Sequence, residues 1–356
     1  MKKVYILIPS LRDDGAIKGA VAIANGLSKY FDVAIVVLKK ITKYTVFINP
    51  KVQVIALSPS FFWLKKYVEY KKILNSGPNN EKHVSISMCF SADLINLMSS
   101  SEAKIIASVR ANIPKTYFST YGWFGKILAK NHFYILKKFK HVLSMSKSMS
   151  QQLYNSGIGG LVEIGNFIDE ENLNKERIPR KNLQQNHLRI VFVGSFIERK
   201  RIDLLIDAVD KLSRNNIQLH LDLVGDGPLR ESLHDIVNKL DLRNQIKFHG
   251  HRGNPYSILQ EADFFVLPSI AEGVSRASLE ALYFGVPCIL RDIDANKELI
   301  TPGINGYLFK TDQEFFHILE KITTSENKSF ERKSLLPEFF QHKTSIGKLV
   351  KLINTI

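Results

Sequence analysis

Cysteine is nearly absent: the 356-residue chain has two, Cys89 and Cys288, each in an apolar run and far from the other. Two such positions build neither a disulfide framework nor a thiolate metal site, and they suit a reducing, cytoplasmic compartment. Long hydrophobic runs are missing too. No stretch reaches the ~18 apolar residues that a membrane span needs. The first apolar run is cut by Pro9 and followed by Arg12, Asp13 and Asp14, so it is not the core of a secretion signal. Histidines such as His249 and His251 do not fall at metal-ligand spacing. Residues 10–19 lack the Gly-x-Gly-x-x-Gly that a dinucleotide-binding oxidoreductase places after its first strand. Acidic residues are scarce in one half. Residues 1–172 carry 23 Lys+Arg against 11 Asp+Glu, a net +12, while the remainder carries 26 against 23, a net +3. A basic first half points to an anionic partner: phosphorylated lipid, a membrane surface or nucleic acid. A merely solvated basic surface is the plainer alternative.

What is present is a regular alternation. Short apolar runs predict strands at Val4–Pro9, Val33–Leu38, Val52–Leu57, Val84–Met88, Ile105–Val109 and His141–Met145. A second set falls at Leu188–Val193, Leu219–Val224, Ile246–His249, Phe264–Leu267 and Pro287–Leu290. Amphipathic stretches such as Gly19–Tyr30 lie between them. Continuous apolar strands alternating with helices predict parallel sheets covered on both faces, an α/β class. Residues 170–187 are polar, charged and broken by Pro179, a linker composition. The expected division is a Rossmann-like domain at 1–169, a linker at 170–187 and a second Rossmann-like domain at 188–335. A C-terminal helix at 336–356 is expected to pack back toward the first domain. Two doubly wound domains would face each other across a cleft, because ligands bind such sheets at the carboxyl ends of the strands.

The segment from Val266 to Leu290 carries the most chemistry. A strand ends at Pro268-Ser269, a loop holds Glu272-Gly273, and a helix from about Arg276 to Phe284 stops at Gly285. Gly273 lets backbone approach a ligand, and the amides of a helix start favour hydroxyl-rich or phosphorylated groups. Glu272 and Glu280, one in the loop and one in the helix, could accept vicinal hydroxyls of one elongated ligand. As plainer readings, Glu272 could cap the helix, Glu280 could face solvent, Lys200 could be a surface lysine, and Gly225-Asp226-Gly227-Pro228 could be only a strand-to-helix turn.

Glu272 and Glu280 within this Pro-Ser-x-x-Glu-Gly…Leu-Glu-Ala-x-x-x-Gly-x-Pro pattern resemble the signature of the retaining GT-B glycosyltransferases of family 4. The stretch Val193-Gly194 through Lys200 to Ala208 resembles that family's phosphate loop, and Val224-Gly225-Asp226-Gly227 resembles the next strand end. Glu298 with Gly303 and Gly306 resembles the closing segment. Gly15 to Gly19 stands where the family has a glycine-rich loop, and Gly165-Asn166-Phe167-Ile168-Asp169 resembles its interdomain turn. The likeness covers roughly residues 3 to 310 and implies transfer of a sugar from a nucleoside-diphosphate donor, most simply UDP-linked. It implies that Glu280 holds ribose hydroxyls and Glu272 holds the donor sugar, with the amides of Val274, Ser275 and Arg276 near sugar and phosphate. Lys200 would neutralise the leaving diphosphate, and Gly15 and Ala16 would let the first domain approach it. No metal and no cofactor are implied.

Three positions depart from the pattern. Ser195 stands where an arginine usually follows the strand glycine, leaving Arg199 and Arg201 as alternatives. Ala16 replaces a loop glycine. Where many members place a histidine, this chain reads Ser108-Val109-Arg110-Ala111-Asn112, so Arg110 or Asn112 would line the pocket. Asp292-Ile293-Asp294 spells a metal-binding motif of another glycosyltransferase class but falls in an ordinary loop position. Two aromatic and basic stretches, Phe61–Lys72 and Tyr117–Lys140, read either as interfacial membrane helices or as core-packed helices. The expected enzyme is a retaining hexosyltransferase on the inner membrane face, building O-antigen, capsule or lipopolysaccharide on a polyprenyl-diphosphate-linked or lipid A-core acceptor. A non-catalytic sugar-nucleotide-binding partner subunit is the alternative; nucleic acid is suggested by charge alone.

Overall fold

The computed structural model describes residues 2–11, 15–39, 46–59, 62–76, 83–178, 188–324 and 333–356. The chain divides into two compact units, residues 1–169 with 338–356, and residues 170–337.

The first unit holds strands β1 (Lys3–Ile8), β2 (Asp32–Val37), β3 (Gln53–Ala56), β4 (His83–Met88), β5 (Ala103–Val109), β6 (Val142–Ser144) and β7 (Leu161–Glu163). They form one parallel sheet in the order β3-β2-β1-β4-β5-β6-β7. Between them run α1 (Gly15–Leu27), α2 (Trp63–Asn75), α3 (Phe90–Met98), α4 (Ile113–Tyr121), α5 (Phe124–Leu136) and α6 (Lys147–Asn155). Side chains alternate across a strand, and β1 is apolar from Val4 to Ile8 because both of its faces are covered. Val4, Ile6 and Ile8 join a cluster with α1, whereas Tyr5 and Leu7 join Tyr70 of α2 and Ala92 and Ile95 of α3.

The second unit holds α7 (Glu170–Asn174), β8 (Leu188–Val193), α8 (Ile202–Arg214), β9 (Leu219–Val224), α9 (Arg230–Lys239), β10 (Ile246–Gly250) and α10 (Tyr256–Glu261). It continues with β11 (Phe264–Leu267), α11 (Arg276–Tyr283), β12 (Cys288–Arg291), α12 (Asp294–Lys297), β13 (Gly306–Phe309) and α13 (Asp312–Thr324). Its sheet is parallel in the order β10-β9-β8-β11-β12-β13. The last helix, α14 (His342–Thr355), belongs to the first unit. Its Ile346, Leu349 and Ile353 complete the α1 cluster, and a Cβ at Gly26 of α1 would meet Ile346 Cδ1 at 2.4 Å. Glycine there lets the two helices touch. Truncating the fully buried Leu349 to alanine would cost ~2–5 kcal/mol.

Two local expectations are corrected. The segment expected as a glycine-rich loop, with Gly15, Ala16 and Gly19, is the first turn and a half of α1 rather than a loop. Helix formers Ala16, Ile17 and Ala20 carry it, and the missing side chain at Gly19 makes room for Arg110, whose Nη2 would lie 2.4 Å from a Cβ. Residues 170–174, grouped by composition with the linker, form α7. Its Leu173 is buried, and the Tyr283 hydroxyl donates to the Glu170 carbonyl at 3.0 Å. Pro179 and the rest of that stretch to residue 187 lie outside the described residues. Strands β7 and β13 were not anticipated; both are edge strands of three and four residues.

Candidate functional site

In the second unit the strand order reverses between β8 and β11, which pair at Phe264–Ile190 and Phe265–Val191. Open parallel sheets bind ligands outside the carboxyl ends of the strands at such a reversal. The loop after β8 carries Arg199 and Lys200 in a short 3-10 turn, and the loop after β11 carries Glu272. Lys200 Nζ donates to Glu272 Oε1 at 2.6 Å, and Arg199 Nη1 donates to the same oxygen at 2.8 Å. Arg199 also donates to the Ala271 carbonyl, while its own carbonyl accepts from the Ile270 amide at 3.1 Å. Burial alone would raise the Glu272 carboxyl, but the adjacent Lys200 and Arg199 outweigh it and hold the group below the usual carboxylate range.

Glu280 lies within α11 and is 5% exposed. Its Oε1 is 3.7 Å from Arg276 Nη2, one turn earlier. Ser275 caps the helix, its hydroxyl accepting from the Ser278 amide at 3.3 Å. The first amides of a helix have no carbonyl partner within it, and α11 begins at Arg276, four residues after Glu272, with the positive end of its dipole on the side of this loop. Glu280 is therefore not the solvent-facing helix residue of the plainer reading, and Glu272 caps no helix but pairs with two cations.

The glycines around the site act by close approach. Gly225 has φ +147°, and a Cβ there would fall 1.8 Å from the Gly194 carbonyl oxygen. At Gly227 it would fall 2.5 Å from the Phe196 carbonyl oxygen, and Phe196 N donates to the Asp226 carbonyl at 2.9 Å. The turn after β9 thus clamps the loop that carries Lys200. Arg291, which sequence reasoning passed over, ties the loop after β11: its Nε donates to the Pro268 carbonyl at 2.9 Å and its Nη2 to Asp312 at 2.8 Å.

The two arginine alternatives separate. Arg199 stays with Lys200 and Glu272, whereas Arg201 pairs with Asp203 at 2.9 Å and Asp312 at 3.1 Å. Ser195 is exposed. Asp292 lies 3.4 Å from Lys297 Nζ. Among the described residues no three His, Cys, Asp or Glu gather as metal ligands. A cavity of about 440 Å³ is lined by Arg189, Asp222, Arg243 and Gln245 and includes none of Gly194, Lys200, Glu272 or Glu280.

In the first unit Gly15 and Ala16 open α1. Asn112 caps α4, its Oδ1 accepting from the Lys115 amide at 3.1 Å, and Arg110 Nη2 donates to Asn166 Oδ1. Each thus has a structural partner within this unit. Asp169 of the expected turn accepts from Asn25 at 2.9 Å. Sequence reading also missed a buried chain: Asp93 Oδ2 lies 2.7 Å from His132 Nε2, and His132 Nδ1 lies 3.0 Å from the Tyr117 hydroxyl. No local pattern links three residues drawn from three helices.

Comparison with known proteins gives the same picture. Over 254 residues, 68% of this chain, it is 25% identical to an uncharacterized glycosyltransferase of Methanocaldococcus jannaschii, covering 61% of that protein. Over 158 residues, 42% of this chain, it is 29% identical to the Escherichia coli UDP-Gal:alpha-D-GlcNAc-diphosphoundecaprenol alpha-1,3-galactosyltransferase, covering 41% of it. The aligned part thus spans less than two thirds of either relative. The crystal structure of Anabaena HepE in complex with UDP and glucose superposes over 100% of both chains with a TM-score of 0.77 at 17% identity, which establishes a shared fold. The family model described as Glycosyl transferases group 1 matches residues 174–334, the region that holds Lys200, Glu272 and Glu280. Those residues thus resemble a group 1 glycosyl transferase domain, in a chain whose two parallel-sheet, Rossmann-like domains have the GT-B-like fold.

Proposed function

We propose that this chain is a retaining glycosyltransferase that moves a hexose from a nucleoside-diphosphate sugar, most simply UDP-linked, to a lipid-linked glycan. The observation that carries the proposal is the convergence of Lys200, Arg199 and Glu272 at the strand-order reversal of a group 1 domain. Glycosyl transfer builds negative charge on the departing phosphate, and fixed cations and helix-end amides stabilise that charge without reorganising. In the ligand-free chain Glu272 occupies both cations. Entry of the diphosphate gives Lys200 and Arg199 a new counter-ion and frees Glu272 to accept hydroxyls of the donor sugar. Arg199 then does the work assigned to the arginine that Ser195 replaces. Glu280 holds the ribose hydroxyls, and Gly194, Gly273 and the amides of Val274, Ser275 and Arg276 border the phosphates. Retention follows from front-face attack, with the leaving phosphate taking the acceptor proton, so no side chain is required as nucleophile.

The acceptor is proposed as a polyprenyl-diphosphate-linked or lipid A-core glycan at the cytoplasmic membrane face, in O-antigen, capsule or lipopolysaccharide synthesis. The undecaprenyl-diphosphate acceptor in the name of one relative and the basic first half support this. The charge at the phosphates comes from side chains, so turnover is expected to persist in EDTA. The test is a thermal-shift screen of nucleotide sugars followed by a transfer assay. UDP and one UDP-sugar raise the melting temperature, because a ligand of the native state stabilises it, and UDP is released with an acceptor present. Binding without turnover would instead make the chain a non-catalytic sugar-nucleotide-binding subunit.

A further inference from the structure

The helices α4 and α5 form a hairpin in the first unit whose tip turns its largest side chains to solvent. Phe118 is 54% exposed, Trp123 64% and Phe124 70%, with Tyr121 and Ile127 also exposed. An aromatic cluster of this density on a surface marks an interaction site. The tip is held firmly. A Cβ at Gly125 would meet the Tyr117 carbonyl oxygen at 2.2 Å, so the helices touch backbone to backbone, and Gly122 turns the chain at φ +57°. The base is anchored to α3 through the Tyr117–His132–Asp93 chain.

Charge selects the occupant. Residues 103–162 contain no Asp or Glu and nine Lys or Arg. The helix α2 packs on α3, as α5 does, and Trp63, Leu64 and Val68 of α2 are exposed beside Lys65. The two aromatic and basic stretches, far apart in sequence, therefore flank one helix. Exposed Trp and Tyr prefer the headgroup level of a bilayer, and lysines favour anionic lipid. Exposed Ile127, Leu64 and Val68 offer no stacking plane to a nucleic-acid base but dissolve in acyl chains.

We infer that the α4–α5 hairpin is a membrane-insertion element: the apex at 121–124 enters the interfacial zone of an anionic bilayer while lysines of α5 and α2 contact its headgroups. This names the contact surface for the lipid-linked acceptor of the reading above and rests on that reading for its purpose, but its test needs no sugar chemistry.

The chain has two tryptophans, Trp63 and Trp123, and both are exposed. In Trp63→Phe only Trp123 reports. Its emission is expected to shift to the blue on phosphatidylglycerol–phosphatidylcholine vesicles and to be quenched by brominated acyl chains, with far weaker binding to phosphatidylcholine alone. Trp123→Ala/Phe124→Ala in the otherwise native chain should pellet with the mixed vesicles at least ~10-fold more weakly, with unchanged thermal unfolding. Lys126→Glu/Lys130→Glu should do the same at low salt. An unshifted Trp123 at saturating vesicle overturns the inference, as does full binding by the double alanine variant. Binding to heparin or RNA in place of vesicles would likewise overturn it. A dry hairpin leaves the transferase reading standing, and vesicle binding by a chain without turnover leaves the hairpin standing.

Discussion

Lys200 Nζ sits 2.6 Å from Glu272 Oε1, joining loops that follow two neighbouring strands of one sheet. In the free chain this carboxylate holds both Lys200 and Arg199, the cations that the proposed function gives to the donor diphosphate. Glu272→Gln should therefore bind UDP at least as tightly as the parent while sugar transfer falls ~100–1000-fold, the scale of losing one group that acts in the transition state. Glu280→Ala should show the reverse pattern, with UDP affinity ~10-fold or more weaker, as expected for lost hydrogen bonds to a charged acceptor. Calorimetric UDP titration beside a transfer assay reads both. Parent-like transfer in the two variants would refute the assignment.

Arg199 and Arg201 are adjacent but one but differently engaged, and their variants should diverge. Arg199→Ala removes a cation that shares Glu272 with Lys200, so kcat/KM for the donor should fall at least ~10-fold. Arg201 adopts φ +50°, where a side chain costs ~1 kcal/mol that glycine avoids. Its ion pairs with Asp203 and Asp312 are partly exposed and contribute ~0–1 kcal/mol. Arg201→Gly is expected to leave stability within about 1 kcal/mol of the parent and turnover unchanged. A loss of turnover in Arg201→Gly that matched Arg199→Ala would reverse the assignment.

Acid should reveal the Glu272 cluster. The folded carboxyl titrates below its ordinary value of 4.5, because Lys200 and Arg199 outweigh the opposing effect of burial. A depressed folded value means that its stabilising contribution is complete above the unfolded value and fades as pH falls through the folded one. Urea midpoints measured downward from pH 6 should therefore drop more steeply in the parent than in Glu272→Gln. Burial pushes Asp312 upward, but Arg291 and Arg201 together outweigh it and hold the group low, so it adds to the same acid loss. Parallel curves for parent and variant would show that the ion pair does not form in solution.

The strands were legible because burial on both faces writes them as unbroken apolar runs: β8, β9 and β11 begin and end where the sequence placed them. The edge strands β7 and β13 are short and half-covered, so they leave no such run. Glu272 and Glu280 were visible because eight positions separate them. The partnership of Glu272 with Lys200 spans 72 positions and exists only once β8 and β11 lie side by side. The start of α1 was misread because glycine is usually a loop residue, whereas Gly19 is small to admit Arg110.

The clamp at Gly225 gives a stability prediction that bears on the same site. With φ +147° and a Cβ position 1.8 Å from the Gly194 carbonyl oxygen, Gly225→Ala combines backbone strain with a backbone clash. The loss should exceed about 3 kcal/mol in urea denaturation, and any folded fraction should bind UDP poorly because the Lys200 loop is displaced. Gly250→Ala is the control: it also has positive φ, +67°, but open space around its Cβ, so the cost should stay near ~1 kcal/mol.

Asp93 and His132 complete the list with a buried network whose polarity can be traced donor by donor. Asn96 Nδ2 donates to Ser87 Oγ at 3.0 Å, and Ser87 donates to Asp93 Oδ1 at 2.6 Å. Asp93 Oδ2 then accepts from His132 Nε2, which leaves Nδ1 to accept from the Tyr117 hydroxyl. Asp93→Ala leaves His132 Nε2 without its acceptor and Ser87 with only its 3.3 Å bond to the Ile106 carbonyl, in a site where Asp93 is 1% exposed, and should cost about 3 kcal/mol or more. Tyr117→Phe removes only the outer bond, about 1 kcal/mol. Equal urea midpoints for the two variants would mean that the chain is broken at His132 in solution. A large gap, with UDP binding intact in both, would identify the network as the brace that fixes α3 to the α4–α5 hairpin.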